Sequence, residues 1–166
     1  MSTTTKKLTT QLIQELGQKA AAAPRKRTNH NFHESLEDPI QRLIVVMKKG
    51  TYIRPHRHVE ENKWEFAVAV HGRMQVILLK DDGSLRDRVD LAPGGRTIGL
   101  EIPAEAWHTW LALEEDAAFF ECKRGPYHPQ KTNVFAPWSP PEGDPRVAEY
   151  CRWLARAQIG ERFAGL

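Results

Sequence analysis

Between residues 41 and 123 the chain alternates apolar and polar side chains, or gathers apolar ones into short blocks. Gln41 to Met47 sets Leu43, Val45 and Met47 on one face and Arg42, Ile44 and Val46 on the other. That period of two marks a strand. Trp64 to Val70 is rich in aromatic and β-branched residues, which favour strands. Met74 to Leu79 is mostly apolar, and Leu85 to Leu91 alternates apolar with charged residues. Trp107 to Leu113 and Ala117 to Lys123 follow, joined by the acidic loop Glu114-Glu115-Asp116. Turn signals at Asp81-Asp82-Gly83 and Pro93-Gly94-Gly95 separate the others. Short strands at this spacing predict a sandwich or a barrel.

Both ends read differently. Leu12, Ile13, Leu16 and Ala20 recur at helical spacing, so the pattern predicts a helix over 9–23, capped by Thr9 or Thr10 and ended by Pro24. Near the other end Asp144-Pro145 opens a second helix, with Asp144 as N-cap and Pro145 at the first helical position. Its apolar stripe is Val147, Tyr150, Cys151, Leu154 and Ala157, and Gly160 ends it. Residues 125–143 are proline-rich, and such a segment wraps a barrel or covers its mouth rather than adding a strand. The organisation expected is one domain over 1–166: helix and basic linker to 33, barrel from 34 to 124, wrap from 125 to 143, helix from 144. A chain of 166 residues and 19.0 kDa can bury a substantial core.

Composition narrows the classes. The hydrophobic share of 40 % and charged share of 27 % are ordinary for a soluble globular protein. The net charge of +3 does not by itself imply nucleic acid, and Arg25-Lys26-Arg27 reads as a solvated linker. Two cysteines, Cys122 and Cys151, make no disulfide framework. Cys122 reads as a sheet residue and Cys151 as helix packing. No apolar run reaches the roughly 18 residues of a membrane helix, and no signal-peptide core follows the N-terminus, so the expected location is cytoplasmic. His30, His33 and His128 read as structural or surface residues, although Tyr127 and His128 could border a cavity entrance.

The candidate chemistry lies in residues 50–72 and 99–108. His56 and His58, two apart in a β-prone stretch, project from one face, and Pro55 makes that strand an edge or a bulged one. With Glu65 on the next strand, two imidazoles and a carboxylate form a ligand set for a divalent transition metal. His108, after the turn at Pro103, supplies a third imidazole. These stretches resemble the two motifs of the cupin superfamily. Gly50, His56, His58, Glu65 and Gly72 match the first; Pro103 and His108 match the second. Six residues separate His58 from Glu65 where three or four are usual, which reads as an insertion and keeps Glu60 and Glu61 as rival carboxylates. Glu105 stands where the second motif has glycine, and Ala112 where it has asparagine. Asn29-x-Asn31-x-His33, Asp38-Pro39-Ile40-Gln41-Arg42, Glu121-x-Lys123-x-Gly125-Pro126-Tyr127 and Ala136-Pro137-Trp138 extend the likeness. Over roughly residues 25–143 the chain looks like the WbuC-type cupin-fold metalloproteins. The resemblance implies a mainly β, cupin-type jelly-roll barrel, here with N- and C-terminal helices, and a link to surface-polysaccharide metabolism.

Alternation from the ligands predicts the cavity. Tyr52, Arg54, Ala106 and Trp110 should face inward with the histidines, and Glu121 and Lys123 with them if the polar face of the last strand turns in. An inward Arg54 either meets an anionic substrate or pairs with Glu121 or Glu101. The metal, one of iron, manganese, nickel or zinc, would hold a small sugar-like or anionic ligand. The first enzymatic reading is a metal-dependent sugar isomerase or epimerase in which Glu121 or Tyr127 moves the proton and Arg54, Tyr52, Lys123 and Trp110 bind substrate. A non-haem iron oxygenase and a non-catalytic carbohydrate-binding or sensing domain are the alternatives. Trp64, Phe66, Val68 and Val70 form an apolar outer face, which a terminal helix or, as favoured, a second subunit would cover.

Overall fold

A computed structural model describes residues 4–60, 62–128 and 131–165. Helix α1 (Thr10–Ala22) precedes ten strands: β1 (Arg27–Asn31), β2 (Ile40–Lys48), β3 (His56–Arg57), β4 (Glu65–His71), β5 (Met74–Leu79), β6 (Leu85–Leu91), β7 (Gly99–Ile102), β8 (Trp107–Ala112), β9 (Asp116–Arg124) and β10 (Val134–Phe135). Helix α2 (Val147–Arg156) follows. The six strands read from alternation over 41–123 are all present, with ends shifted by no more than one residue.

The strands form two antiparallel five-stranded sheets, ordered β1-β2-β9-β4-β7 and β10-β3-β8-β5-β6. Their facing sides make the core, including Met47, Ala67, Met74, Val76, Trp110 and Phe119. Trp110 of the second sheet stacks on Phe119 of the first, 3.9 Å between centroids and nearly parallel, joining the sheets face to face. Gly72 sits at the β4–β5 turn with φ +64°, and a Cβ there would lie 2.1 Å from the Asp116 carbonyl oxygen. This motif position therefore admits only glycine.

Each helix covers the outside of one sheet. Thr9 caps α1, its hydroxyl accepting from the Leu12 amide at 3.1 Å. Leu16 of α1 is buried with Phe32, Ile44, Val46 and Ala118. Tyr150 and Leu154 of α2 are buried with Ile77, Leu79, Leu85 and Trp107. Both cysteines are free and partly buried. Among the described residues no helix is long and apolar enough to cross a membrane.

Three expectations change. Helix α2 starts at Val147, not Pro145, because Asp144 is taken up by Arg146: its Oδ1 accepts from the Arg146 amide at 2.8 Å, and its carboxylate pairs with the guanidinium at 2.7 Å. It ends before Gly160, whose amide instead donates to the Leu85 carbonyl at 2.8 Å. The basic linker contains a strand, β1, paired with β2 from Arg27↔Met47 to Asn31↔Leu43. The proline-rich wrap adds a strand too, β10, which pairs with β3 at Phe135↔His56. The apolar outer face of β4 is only partly covered. Val70 packs against the α1 cluster, whereas Phe66 is 42 % exposed and nearby Ile98 54 %.

Candidate metal centre

His56 lies on β3 directly opposite His108 of β8, and His58 follows one residue past the end of β3. Glu65 opens β4, opposite Lys123 of β9 and Ile102 of β7. Two strand pairings from two sheets thus bring four side chains to one place. One ring nitrogen from each of His56, His58 and His108 lies within 4.8 Å of the others.

The hydrogen bonds orient all three rings alike. Nδ1 of His56 is 3.0 Å from the Arg54 carbonyl, that of His58 3.0 Å from the Thr132 carbonyl, and that of His108 2.9 Å from the Ala106 carbonyl. A carbonyl only accepts, so each Nδ1 carries the proton and each Nε2 presents a lone pair. Backbone partners of this kind fix metal-ligating histidines. His108 Nε2 is buried and has no hydrogen-bond partner among the described residues. Glu65 Oε2 lies 3.0 Å from His58 Nε2, and Oε1 3.9 Å from His108 Nε2. Two acceptors at 3.0 Å repel unless a cation or a second ring proton lies between them. A divalent ion satisfies the carboxylate and the imidazole lone pairs together, so the donor set fits a transition metal.

Electrostatics favour the ligand forms. Burial, with the neighbouring imidazoles adding to it, holds His56 well below the usual imidazole range. Burial also lowers His108, against the opposing pull of Glu65. For Glu65 burial works upward, but contact with the His58 ring and the charge of Lys123 outweigh it and lower the carboxyl. Glu121 goes the other way: burial and the Glu65 charge raise it. Lys123, whose Nζ is 2.5 Å from Glu121 and 4.0 Å from Glu65, is raised because those carboxylates outweigh its burial.

These groups border a cavity of about 290 Å³. His56, Glu65, Glu121, Lys123, Tyr127 and Trp110 line it, with Ile53 and Phe119 beside them. Lys123 also lies over the Tyr127 ring, 5.6 Å from its centroid. Tyr52 and Arg54 do not line this cavity. The Tyr52 hydroxyl donates to the Pro140 carbonyl at 2.7 Å, and its ring meets Tyr150 edge-on. The Arg54 guanidinium donates to Ser139 Oγ, to the Ser139 carbonyl and to the Ala136 carbonyl at 3.0–3.2 Å. It pairs with neither Glu121 nor Glu101. Both side chains hold the proline-rich wrap, because the chain is not in a regular strand before His56 and alternation does not carry through Pro55.

Glu60 is engaged elsewhere, 2.7 Å from Lys63 Nζ and 3.3 Å from Thr132 Oγ1. Glu61 lies outside the described residues. Asn62, at φ +56°, turns the chain within the longer spacing between His58 and Glu65. Glu105 has φ +64°, the left-handed conformation for which the motif glycine suits this position. Its amide donates to the His58 carbonyl at 2.8 Å. His128 is exposed, as expected. His33, read as structural or surface, lines the cavity with Asn29 and Asn31. The period of two in Asn29-x-Asn31-x-His33 was the signal available for that wall.

Solved structures share the architecture. CapF bound to the inhibitor 3-isopropenyl-tropolone matches with a TM-score of 0.57 at 18 % identity, over 68 % of this chain and 32 % of CapF. Oxalate oxidase in complex with the substrate analogue glycolate matches at 0.54 and 18 %, over 75 % of this chain and 62 % of the oxidase. The cupin-2 domain protein Rru_A2000 from Rhodospirillum rubrum matches at 0.53 and 17 %, over 81 % of this chain and 84 % of that one. At these identities the likeness is one of fold, and the fold is the cupin fold. No curated protein matches the sequence. The family described as "Domain of unknown function (DUF6016)" matches residues 8–91, just over half of the chain and the part that holds His56, His58 and Glu65, and the chain belongs to that family.

Proposed function

We propose that the chain is a metal-dependent isomerase or epimerase acting on a small sugar-like substrate, within the surface-polysaccharide metabolism that its WbuC-type resemblance implies. A cytoplasmic homodimer is the form in which this reading places it. The observation that carries it is the convergence of three Nε2 lone pairs and Glu65 at a cavity that also holds the buried Glu121–Lys123 pair. One divalent ion of iron, manganese, nickel or zinc on His56, His58, His108 and Glu65 supplies Lewis acidity toward a substrate carbonyl or hydroxyl. Glu121, its carboxyl raised by burial, moves the proton at the carbon beside that carbonyl. Lys123 compensates the charge of Glu121 when it is ionised, and Tyr127 borders the pair. Trp110 and Phe119 supply an apolar wall against which the substrate's carbon skeleton lies.

The test is solvent deuterium exchange. Protein stripped of metal and reloaded with each of the four ions is incubated anaerobically in D2O with a panel of aldoses and ketoses, and C–H exchange is followed by NMR. Metal-dependent exchange that falls about 10²–10⁴-fold in Glu121→Gln is the expected result. No exchange anaerobically, with turnover only when the same iron-loaded incubation is repeated in air, would replace this reading by the iron oxygenase. Tight binding without exchange would replace it by the sensor.

A further inference from the structure

The cavity that His56 and Glu65 border is also walled by β1. Arg27, Asn29 and Asn31, on one face of that strand, line it, and His33 continues the period of two just past the strand end. The register sets Asn31 opposite Leu43 and Asn29 opposite Val45, and both aliphatic residues line the cavity too. Cross-strand partners share a face, so this wall is a row of amides beside a row of aliphatic side chains.

Its hydrogen-bonding capacity is not used up within the chain. Asn29 Nδ2 donates to Asn31 Oδ1 at 2.7 Å, which leaves the Asn29 oxygen as an acceptor and the Asn31 nitrogen as a donor. His33 is 8 % exposed, and its Nε2 is buried without a partner. His33 Nδ1 lies 3.0 Å from both the Arg42 amide and the Arg42 carbonyl, so either tautomer is held at that end. In either one Nε2, as donor or as acceptor, has no partner among the described residues, and a buried polar group without a partner is unfavourable. The Arg27 guanidinium is 2.5 Å from Glu142 and donates to the Tyr52 carbonyl at 2.7 Å, but it shares that carboxylate oxygen with Arg25, 2.7 Å away and also at the cavity, so two cations face one carboxylate.

We propose that this arm of the cavity, walled by Asn29, Asn31, His33, Leu43 and Val45, is a second subsite that takes the neutral, polyhydroxylated part of a ligand whose other end lies at the imidazoles. Hydroxyl groups both donate and accept, which matches an amide oxygen, an amide nitrogen and an imidazole nitrogen in a row. The C–H face of the same chain of carbons rests on Leu43 and Val45. The subsite rests on the sugar-like reading above and adds where the sugar's hydroxyls are read.

Calorimetric titration of metal-loaded protein with glycolaldehyde, D-fructose and D-gluconate tests it. In Asn29→Ala/Asn31→Ala, affinity for fructose should fall by about 10-fold, the loss expected of removed ligand hydrogen bonds. Glycolaldehyde, too short to leave the imidazole end, should bind as before, and metal content should not change. His33→Phe should weaken fructose in the same selective way, and it carries the test alone if the double variant does not fold. Unchanged affinity for fructose and gluconate in the variants, or an equal loss for glycolaldehyde, would overturn the subsite while leaving the metal-dependent reading in place. No binding of any probe to the wild-type holoprotein would overturn both.

Discussion

Stripped of metal, the protein should lose stability steeply between pH 7 and pH 5, and the loss should come from the imidazoles. His108 is buried and His56 partly so, and both are held below the ordinary imidazole value of 6.5, so in this range the folded rings resist a proton that the unfolded rings accept. The unfolded state then binds more protons, and stability falls as pH falls through 6.5. For a ring that stays neutral when folded, the unfolded-state titration removes about 2 kcal/mol between pH 7 and pH 5. His56 alone accounts for about 2 kcal/mol, and His108 raises the total to at most about 4 kcal/mol. At about 2–4 °C per kcal/mol for a chain of this size, the melting temperature should drop by about 4–16 °C. Glu121 acts in the opposite direction, since its raised carboxyl favours the folded state once pH falls through its folded-state value. Glu65, with a lowered carboxyl, adds to the loss only below the unfolded carboxylate value of 4.5. Both carboxylates are retained in His56→Gln/His108→Gln, so subtracting its profile isolates the imidazoles. The assay is a set of thermal melts by circular dichroism in chelator at pH 7, 6 and 5. An acid slope equal in wild type and double variant would show that these rings do not titrate as their burial requires.

Two further outcomes bear on the fold. Arg54→Ala removes three hydrogen bonds to the wrap, so it should lower stability by about 1–3 kcal/mol and speed proteolysis within residues 131–143 while leaving metal content unchanged. Unchanged stability with weakened ligand binding would return Arg54 to a substrate role. The exposed Phe66 and Ile98 should be buried between two copies, giving a light-scattering mass near twice 19.0 kDa at micromolar concentration that Phe66→Glu reduces to the monomer's. A mass near 19.0 kDa across the range would mean that no second copy covers this face.

What could be read in the sequence follows from where each strand lies. β2, β5, β8 and β9 bury apolar side chains on both faces, one in the core between the sheets and the other under a helix, so their apolar runs made their bounds legible. β1 was not, because Arg27, Asn29 and Asn31, which it turns to the cavity, are themselves polar and leave no apolar period to detect. β10 is two residues long, too short for any period. The histidine cluster was legible because His56, His58 and His108 keep their motif spacing while the turn at Asn62 absorbs the irregularity before Glu65. Tyr52 and Arg54 were misplaced by extending alternation through Pro55, where strand pairing has not begun. Their partners, Tyr150, Pro140 and Ser139, lie about 85 to 100 residues away in sequence, beyond the reach of a local pattern. The start of α2 moved because Asp144 satisfies Arg146 rather than a helix end.

The central claim is that His56, His58, His108 and Glu65 hold one divalent ion. Elemental analysis of protein purified without added metal measures it directly, comparing wild type with His56→Ala/His108→Ala. The account predicts close to one transition-metal ion per wild-type chain, and none in the double variant, which should still melt cooperatively. Full metal content in a folded double variant would contradict it.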